Sequence, residues 1–161
     1  MSHHDYQISR LVETDVPRIC SWVPNAEELQ RISTNFGSQL TPEILRQWAD
    51  DAVRTFVLRD RGTPVGFATM STKEWPLPPD TVEGCHLIID PSRRRRSAAT
   101  FLINEMAQSA LTHYRTFVGR VVPSNVTSQH FLTKLGWFEI TNRYPWTSHS
   151  SFSWFQAPTV R

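Results

Sequence analysis

The sequence predicts an α/β fold, a mixed sheet of six to seven strands flanked by helices in one domain over residues 1–161. Three observations lead there. A chain of 161 residues with 39% hydrophobic content is the length of one globular domain and can bury a full core. Short β-branched and aromatic runs lie on both sides of a long helical pattern. A strand, a helix and a strand follow one another over 81–89, 98–114 and 117–122, the pattern of a right-handed parallel crossover.

Each element has its own local cause. Tyr6 to Val12 alternates as a first strand. Thr14-Asp15 before Val16-Pro17 starts a short helix with a cap and a first-turn proline, and Ile19, Trp22 and Val23 form its apolar face. Asn25 caps a second helix, with Glu28 as its capping-box partner. Thr41-Pro42 opens a third, with Ile44, Leu45 and Trp48 at helical spacing. Phe56–Leu58 and Val65–Met70 are strands joined through the turn Arg61-Gly62. The Pro-rich stretch from Glu74 to Asp80 cannot be a central strand. A strand over 81–89 precedes the main helix, whose Ala99, Leu102, Ile103, Met106 and Ala110 face inward. After the strand at 117–122, Ser128–Leu135 is a helix, and Phe138–Tyr144 and Phe152–Phe155 are two late strands.

Two segments carry chemistry. Leu87 to Leu102 reads LIIDPSRRRRSAATFL. A strand feeds a helix through four arginines and three small residues, and the free first N–H groups of such a helix, with its dipole, make an anion site. Arginine forks suit phosphate oxygens, so a phosphate or pyrophosphate is the simplest ligand. A solvated face or a nucleic-acid patch is the competing reading of four arginines. Val121 to Trp137 reads VVPSNVTSQHFLTKLGW, a strand, a polar junction and a helix closed by Gly136.

With both segments in this order and about 30 residues apart, the chain resembles the GNAT superfamily of acyl-CoA-dependent N-acyltransferases over about residues 7 to 140. Arg94-Arg95-Arg96-Ser97-Ala98-Ala99 resembles that family's pyrophosphate loop, R/Q-x-x-G-x-G/A, with Ser97 in place of a glycine. Asn125 followed by Lys134-Leu135-Gly136-Trp137 resembles its pantetheine-contacting motif. The resemblance implies acetyl-CoA (coenzyme A) as cofactor. It implies contacts to it from Arg94, Arg95, Arg96, Ser97, Ala98, Ala99, Asn125 and Phe131, and from the backbone of Leu87, Ile88 and Ile89. It also implies two central strands that splay to admit the pantetheine arm. No metal enters the reading.

Acetyl transfer to an amine needs a group that takes the amine's proton. Glu83 stands where histone-modifying relatives carry a catalytic Glu, and His86, three residues on, titrates near neutrality in water. Strand alternation puts the two on opposite faces unless a bulge intervenes. Relatives often carry a tyrosine acid in the last helix, where Leu132 stands here. Relatives acting on ribosomal-protein N-termini resemble one another in a Glu on the strand before it, where Arg120 stands. Trp22, Phe36, Trp48, Trp146, Trp154 and Phe155 form an aromatic acceptor cleft, a core or a homodimer interface.

The expected activity is transfer of an acetyl group from acetyl-CoA to a primary amine, on a small molecule or a peptide, by direct attack in a ternary complex. A non-catalytic acyl-CoA-binding module is the alternative. The net charge is only +2 and the positive charge is concentrated at 93–96, which argues against a nucleic-acid partner. No apolar run approaches the roughly 20 residues that span a bilayer, and no signal peptide is evident, so no membrane partner is expected. Cys20 and Cys85 have neither disulfide nor metal spacing and read as reduced thiols of a cytoplasmic protein.

Overall fold

A computed structural model describes residues 4–33, 39–94, 97–148 and 151–159. Arg95, Arg96 and Phe36, singled out in the sequence, lie outside the described residues. The chain runs β1 (Tyr6–Ser9), α1 (Val16–Ser21), α2 (Ala26–Ile32), α3 (Pro42–Asp51), β2 (Arg54–Asp60), β3 (Thr63–Ser71), β4 (Thr81–Ile89), α4 (Ala98–His113), β5 (Thr116–Val121), α5 (Val126–Lys134), β6 (Phe138–Glu139) and β7 (Ser153–Gln156). The seven strands form one mixed sheet in the order β1-β2-β3-β4-β5-β7-β6. Among the described residues only β4 and β5 pair in parallel, as the crossover through α4 requires.

Local chemistry sets the element ends. Asn25 accepts from the Glu28 amide and Thr41 from the Ile44 amide. Arg61 and Gly62 both take positive φ, +52° and +84°, in the β2–β3 hairpin. Gly136 takes +87° just past α5. Two expected caps differ. Asp15 does not cap α1; its carboxylate accepts from Val12 N and holds Arg59 of β2 at 2.7 Å. Glu28 does not complete a capping box but reaches Arg94, at 3.3 Å. The last strands are shorter than their aromatic load suggests, because Asn142 takes positive φ and Pro145 opens a 3₁₀ turn between them.

The sheet is packed on both faces. On one, Leu102, Met106 and Ala110 of α4 meet Phe56, Leu58, Ala68 and Val82. On the other, α1, α2 and α3 bring Ile19, Trp22, Leu29, Leu45 and Trp48 against Val57, Phe67 and Ile88. A third cluster lies under the end of the sheet, around Val118, Ile140 and Trp154. No helix among the described residues is long and apolar enough to cross a membrane.

Candidate active site

The site begins where β4 and β5 part. Their parallel pairing runs from Thr81 opposite Thr116 to Gly84 opposite Gly119 and then stops, while β4 goes on pairing with β3 and β5 with β7. Gly84 stands at the fork for a steric reason: a Cβ there would lie 2.9 Å from the Phe117 ring. The opening is a cleft of about 210 Å³, walled by β4, β5, α5, the C-terminal end of α2 and the Ile103 and Met106 side chains of α4.

A bulge brings the two candidate bases together. Phe67 pairs with Ile88 and Thr69 with Cys85, so His86 and Leu87 together oppose Ala68. His86 takes φ +54° at this point. Simple alternation would separate Glu83 from His86; the extra residue instead leaves both lining the cleft. His86 is buried, its ring stacked on Trp48 with centroids 3.9 Å apart. Thr69 Oγ1 donates to the Cys85 carbonyl (3.3 Å) and lies 2.9 Å from His86 Nδ1. Both contacts are satisfied when Nδ1 carries the proton and donates to Oγ1, leaving Nε2 as the acceptor. Burial, aided by the Arg120 charge, lowers the His86 pKa to about 3, so its imidazole is neutral at pH 7.

Glu83 is 2% exposed. Its Oε2 accepts from Arg120 Nε at 2.5 Å, and its buried Oε1 has no hydrogen-bond partner among the described residues, though the neighbouring Cys85 thiol also acts on this carboxyl. Burial raises the carboxyl's pKa above the ordinary value, and the Arg120 charge and hydrogen bond offset part of that rise. Arg120 is boxed by rings: its guanidinium carbon lies 5.0 Å from the centre of Trp75, 5.1 Å from Phe152 and 5.5 Å from Trp154. Cys85, between the two candidate bases, has its thiol pKa pushed up by burial.

The remaining sequence-derived residues divide. Leu87, Asn125 and Phe131 line the cleft with Glu83 and His86. Asn125 Oδ1 caps α5 through the Ser128 amide, and no hydrogen bond engages its Nδ2 among the described residues. Ile88 and Ile89 pack into the two cores. Ser97, Ala98 and Ala99 sit at the start of α4, beyond the cleft walls. Ser97 makes no side-chain cap; its hydroxyl lies 3.5 Å from that of Tyr6. The arginine run is not a free cationic patch throughout, for Arg93 pairs with Asp60 and Arg94 with Glu28. Of the aromatic residues read as acceptor cleft, core or homodimer interface, Trp22 and Trp48 are core of the α1–α3 face, Trp154 and Phe155 are core beneath β7, and Trp146 packs against Trp154. The aromatic walls are Phe117, Phe131, Trp137 and Phe152. Arg120, noted in the sequence only as standing in place of a Glu, is the side chain whose pairing with Glu83 the motifs did not indicate. Its signal was a lone charge in the apolar run Phe117–Val122.

Comparison with known proteins agrees with this geometry. The chain aligns along most of its length with an N-acetyltransferase from Staphylococcus aureus Mu50 (TM-score 0.71, 19% identity, 97% of this chain and 99% of that one). It is similar to the ribosomal-protein-S18-alanine N-acetyltransferase from Escherichia coli (TM-score 0.65, 20% identity, 97% and 95%). It is also similar to the yncA protein from Salmonella typhimurium, solved with its cofactor acetyl-CoA (TM-score 0.73, 13% identity, 98% and 95%). No curated protein sequence matches significantly. At these identities the likeness is one of fold. The sequence model described as the acetyltransferase (GNAT) family matches residues 22–137, well over half of the chain. The chain belongs to the GNAT acetyltransferase family, whose cofactor is acetyl-CoA.

Proposed function

We propose that this acetyltransferase moves an acetyl group from acetyl-CoA to a primary amine by direct attack in a ternary complex. The observation that carries the reading is the unpartnered, buried Oε1 of Glu83 on the cleft where β4 and β5 part. A base at that point serves amine chemistry.

The residues present fit coenzyme A. Past Gly84, β4 has no pairing partner on its β5 side, which suits a linear amide-bearing arm. Nδ2 of Asn125 is a donor for that arm, and Phe131 an apolar wall. Ala98 is fully buried and Ser97 is exposed, so the first turn of α4 is small and uncapped, as phosphate contact needs. Arg94 stands beside it, and the sequence adds Arg95 and Arg96.

When bound, acetyl-CoA supplies a thioester whose C–S bond breaks as the amine's N–C bond forms. Backbone N–H groups from 87–89 would polarise the acetyl carbonyl. Oε1 of Glu83 would take the proton from the amine, directly or through water. A carboxylate of raised pKa does this better than an imidazole whose pKa has fallen to about 3. His86 therefore has a structural part, holding the bulge between Trp48 and Thr69. Leu132 offers no acid, but a thiol leaving group, with a pKa near 8.5, can take its proton from water. Arg120, standing where ribosomal-protein-modifying relatives resemble one another in a Glu, speaks against that acceptor.

The test is release of free thiol from acetyl-CoA against a broad panel of amines. Glu83→Gln is expected to lower kcat by roughly 10²-fold or more and to leave coenzyme A affinity near normal. Tight coenzyme A binding with no turnover on any amine would turn the reading to the non-catalytic binding module.

A further inference from the structure

The floor of the cleft holds two groups with hydrogen-bonding capacity left over, side by side. One is Glu83 Oε1, buried and without a hydrogen-bond partner among the described residues. The other belongs to Arg120. Its guanidinium binds Glu83 through Nε alone. Among the described residues no hydrogen bond engages its two terminal amino groups. The side chain is 15% exposed and lines the cleft. Glu83 Oε1 bears the cost of an unsatisfied buried acceptor, on the order of 1–3 kcal/mol, whereas the terminal amino groups of Arg120 are open to the cleft and its water.

An arginine that uses Nε for one partner keeps a planar edge of N–H donors for a second, and that edge matches a carboxylate. Trp75, Phe152 and Trp154 hold the guanidinium in a ring box, so little further ordering is needed when a ligand arrives. Because Glu83 and Arg120 touch each other, the groups they serve must sit close together on one ligand. Glu74, exposed at the rim of the cleft, adds negative charge that suits an ammonium. Arg31, also on the wall, is paired with Glu27.

We infer that the acceptor is an amine with a carboxylate on the same or the next carbon, an amino acid in the first place, whose carboxylate is bound by the terminal amino groups of Arg120 while its nitrogen faces Glu83 Oε1. The inference rests on the acetyl-transfer reading of the same cleft and names its substrate class. The α-carboxylate of a free amino acid and the side-chain carboxylate of an N-terminal aspartyl peptide share this chemistry.

The experiment uses the full chain with acetyl-CoA and three sets of acceptors. These are L-amino acids, the corresponding amino acid amides, and the dipeptide pair Asp-Ala and Asn-Ala. The acid form is expected to exceed its amide in kcat/KM by at least about 10²-fold, as sites built around a specific polar group discriminate. Asp-Ala ahead of both Asn-Ala and free amino acids would support the inference with a peptide as the source. Arg120→Lys keeps a cation beside Glu83 and removes the fork; the acid-to-amide ratio is expected to fall below about 10, mostly through KM. Calorimetric titration of the coenzyme A-saturated protein gives a readout without turnover: the favoured acid binds and its amide does not. Equal turnover of acids and amides, or equal binding of both, would overturn the inference while leaving acetyl transfer intact. Turnover of no amine at all would instead sink the acetyl-transfer reading, and the titration would still decide whether the cleft selects a carboxylate.

Discussion

The indole of Trp48 lies flat against the imidazole of His86, with ring centroids 3.9 Å apart and planes 4° from parallel. One ring comes from α3 and the other from the bulge of β4, so this contact ties the helical face of the molecule to the point where the cleft opens. The stack also removes water from the imidazole, which explains why His86 cannot be charged cheaply.

Stability should therefore depend on pH through His86. Its pKa is about 3 when folded, against about 6.5 in an unfolded chain. Between those values the unfolded chain binds the proton and the native state does not, so stability rises with pH across that window and is lost on acidification. The loss between pH 6.5 and 5 should be about 1.6 kcal/mol from this residue. Glu83, whose pKa is raised, acts in the opposite sense, contributing a loss as pH rises through its ionisation. Urea titrations at several pH values check this: His86→Gln should flatten the acid-side slope relative to wild type. An unchanged slope would mean that the imidazole is not buried neutral.

A thermodynamic cycle tests the Glu83–Arg120 pair. Arg120→Met strands a buried carboxylate and should cost about 3–5 kcal/mol. Glu83→Gln alone should cost less, because the amide oxygen still accepts from Arg120 Nε. The double variant should recover much of the Arg120→Met loss, since no charge is left uncompensated. Additive losses in denaturant unfolding would show that the two side chains do not interact.

Gly84→Ala probes the fork itself. The new Cβ would meet the Phe117 ring at 2.9 Å, and that ring is 2% exposed with little room to retreat. Overpacking of this kind should cost about 1–3 kcal/mol. Because the same ring lines the cleft, coenzyme A affinity should weaken along with the melting temperature. A destabilised variant that binds coenzyme A as tightly as wild type would separate the fork from the cofactor's path.

The parts of this fold that sequence reading reached are those with local causes. Asn25, Thr41, Arg61-Gly62 and Gly136 each satisfy a backbone requirement within a few residues, and each does so in the structure. The strand at 81–89 has the expected bounds because Pro78-Pro79 and Asp90-Pro91 close it at both ends. The bulge at His86 was not legible, since it arises from pairing with β3 and leaves no mark in the alternation of β4 itself. The Glu83–Arg120 pair depends on the register that sets Glu83 opposite Val118, between segments 35 residues apart in sequence and joined through α4. The stack of His86 on Trp48 needs α3 to cross the sheet at that point, which periodicity within α3 cannot specify. The aromatic residues left cleft, core and homodimer interface open for a related reason: large rings serve a core as readily as a pocket, and only burial by neighbouring elements distinguishes the two.

Asn125 offers a test in which a structural and a binding part can be separated on one side chain. Its Oδ1 accepts from the Ser128 amide and caps α5, while its Nδ2 belongs to a residue that lines the cleft. Asn125→Ala removes both and should cost about 1 kcal/mol of stability, the usual worth of such a cap. Asn125→Asp keeps an oxygen for the cap, adds a negative charge at a helix N-terminus where it is favourable, and removes the amide donor. Its melting temperature should stay at or slightly above that of wild type. If Nδ2 donates to the pantetheine arm, the same variant should bind coenzyme A several-fold more weakly, with a neutral lost hydrogen bond alone worth about 0.5–1.5 kcal/mol. Wild-type affinity in Asn125→Asp, measured by calorimetry on a protein of undiminished stability, would reduce the residue to a helix cap.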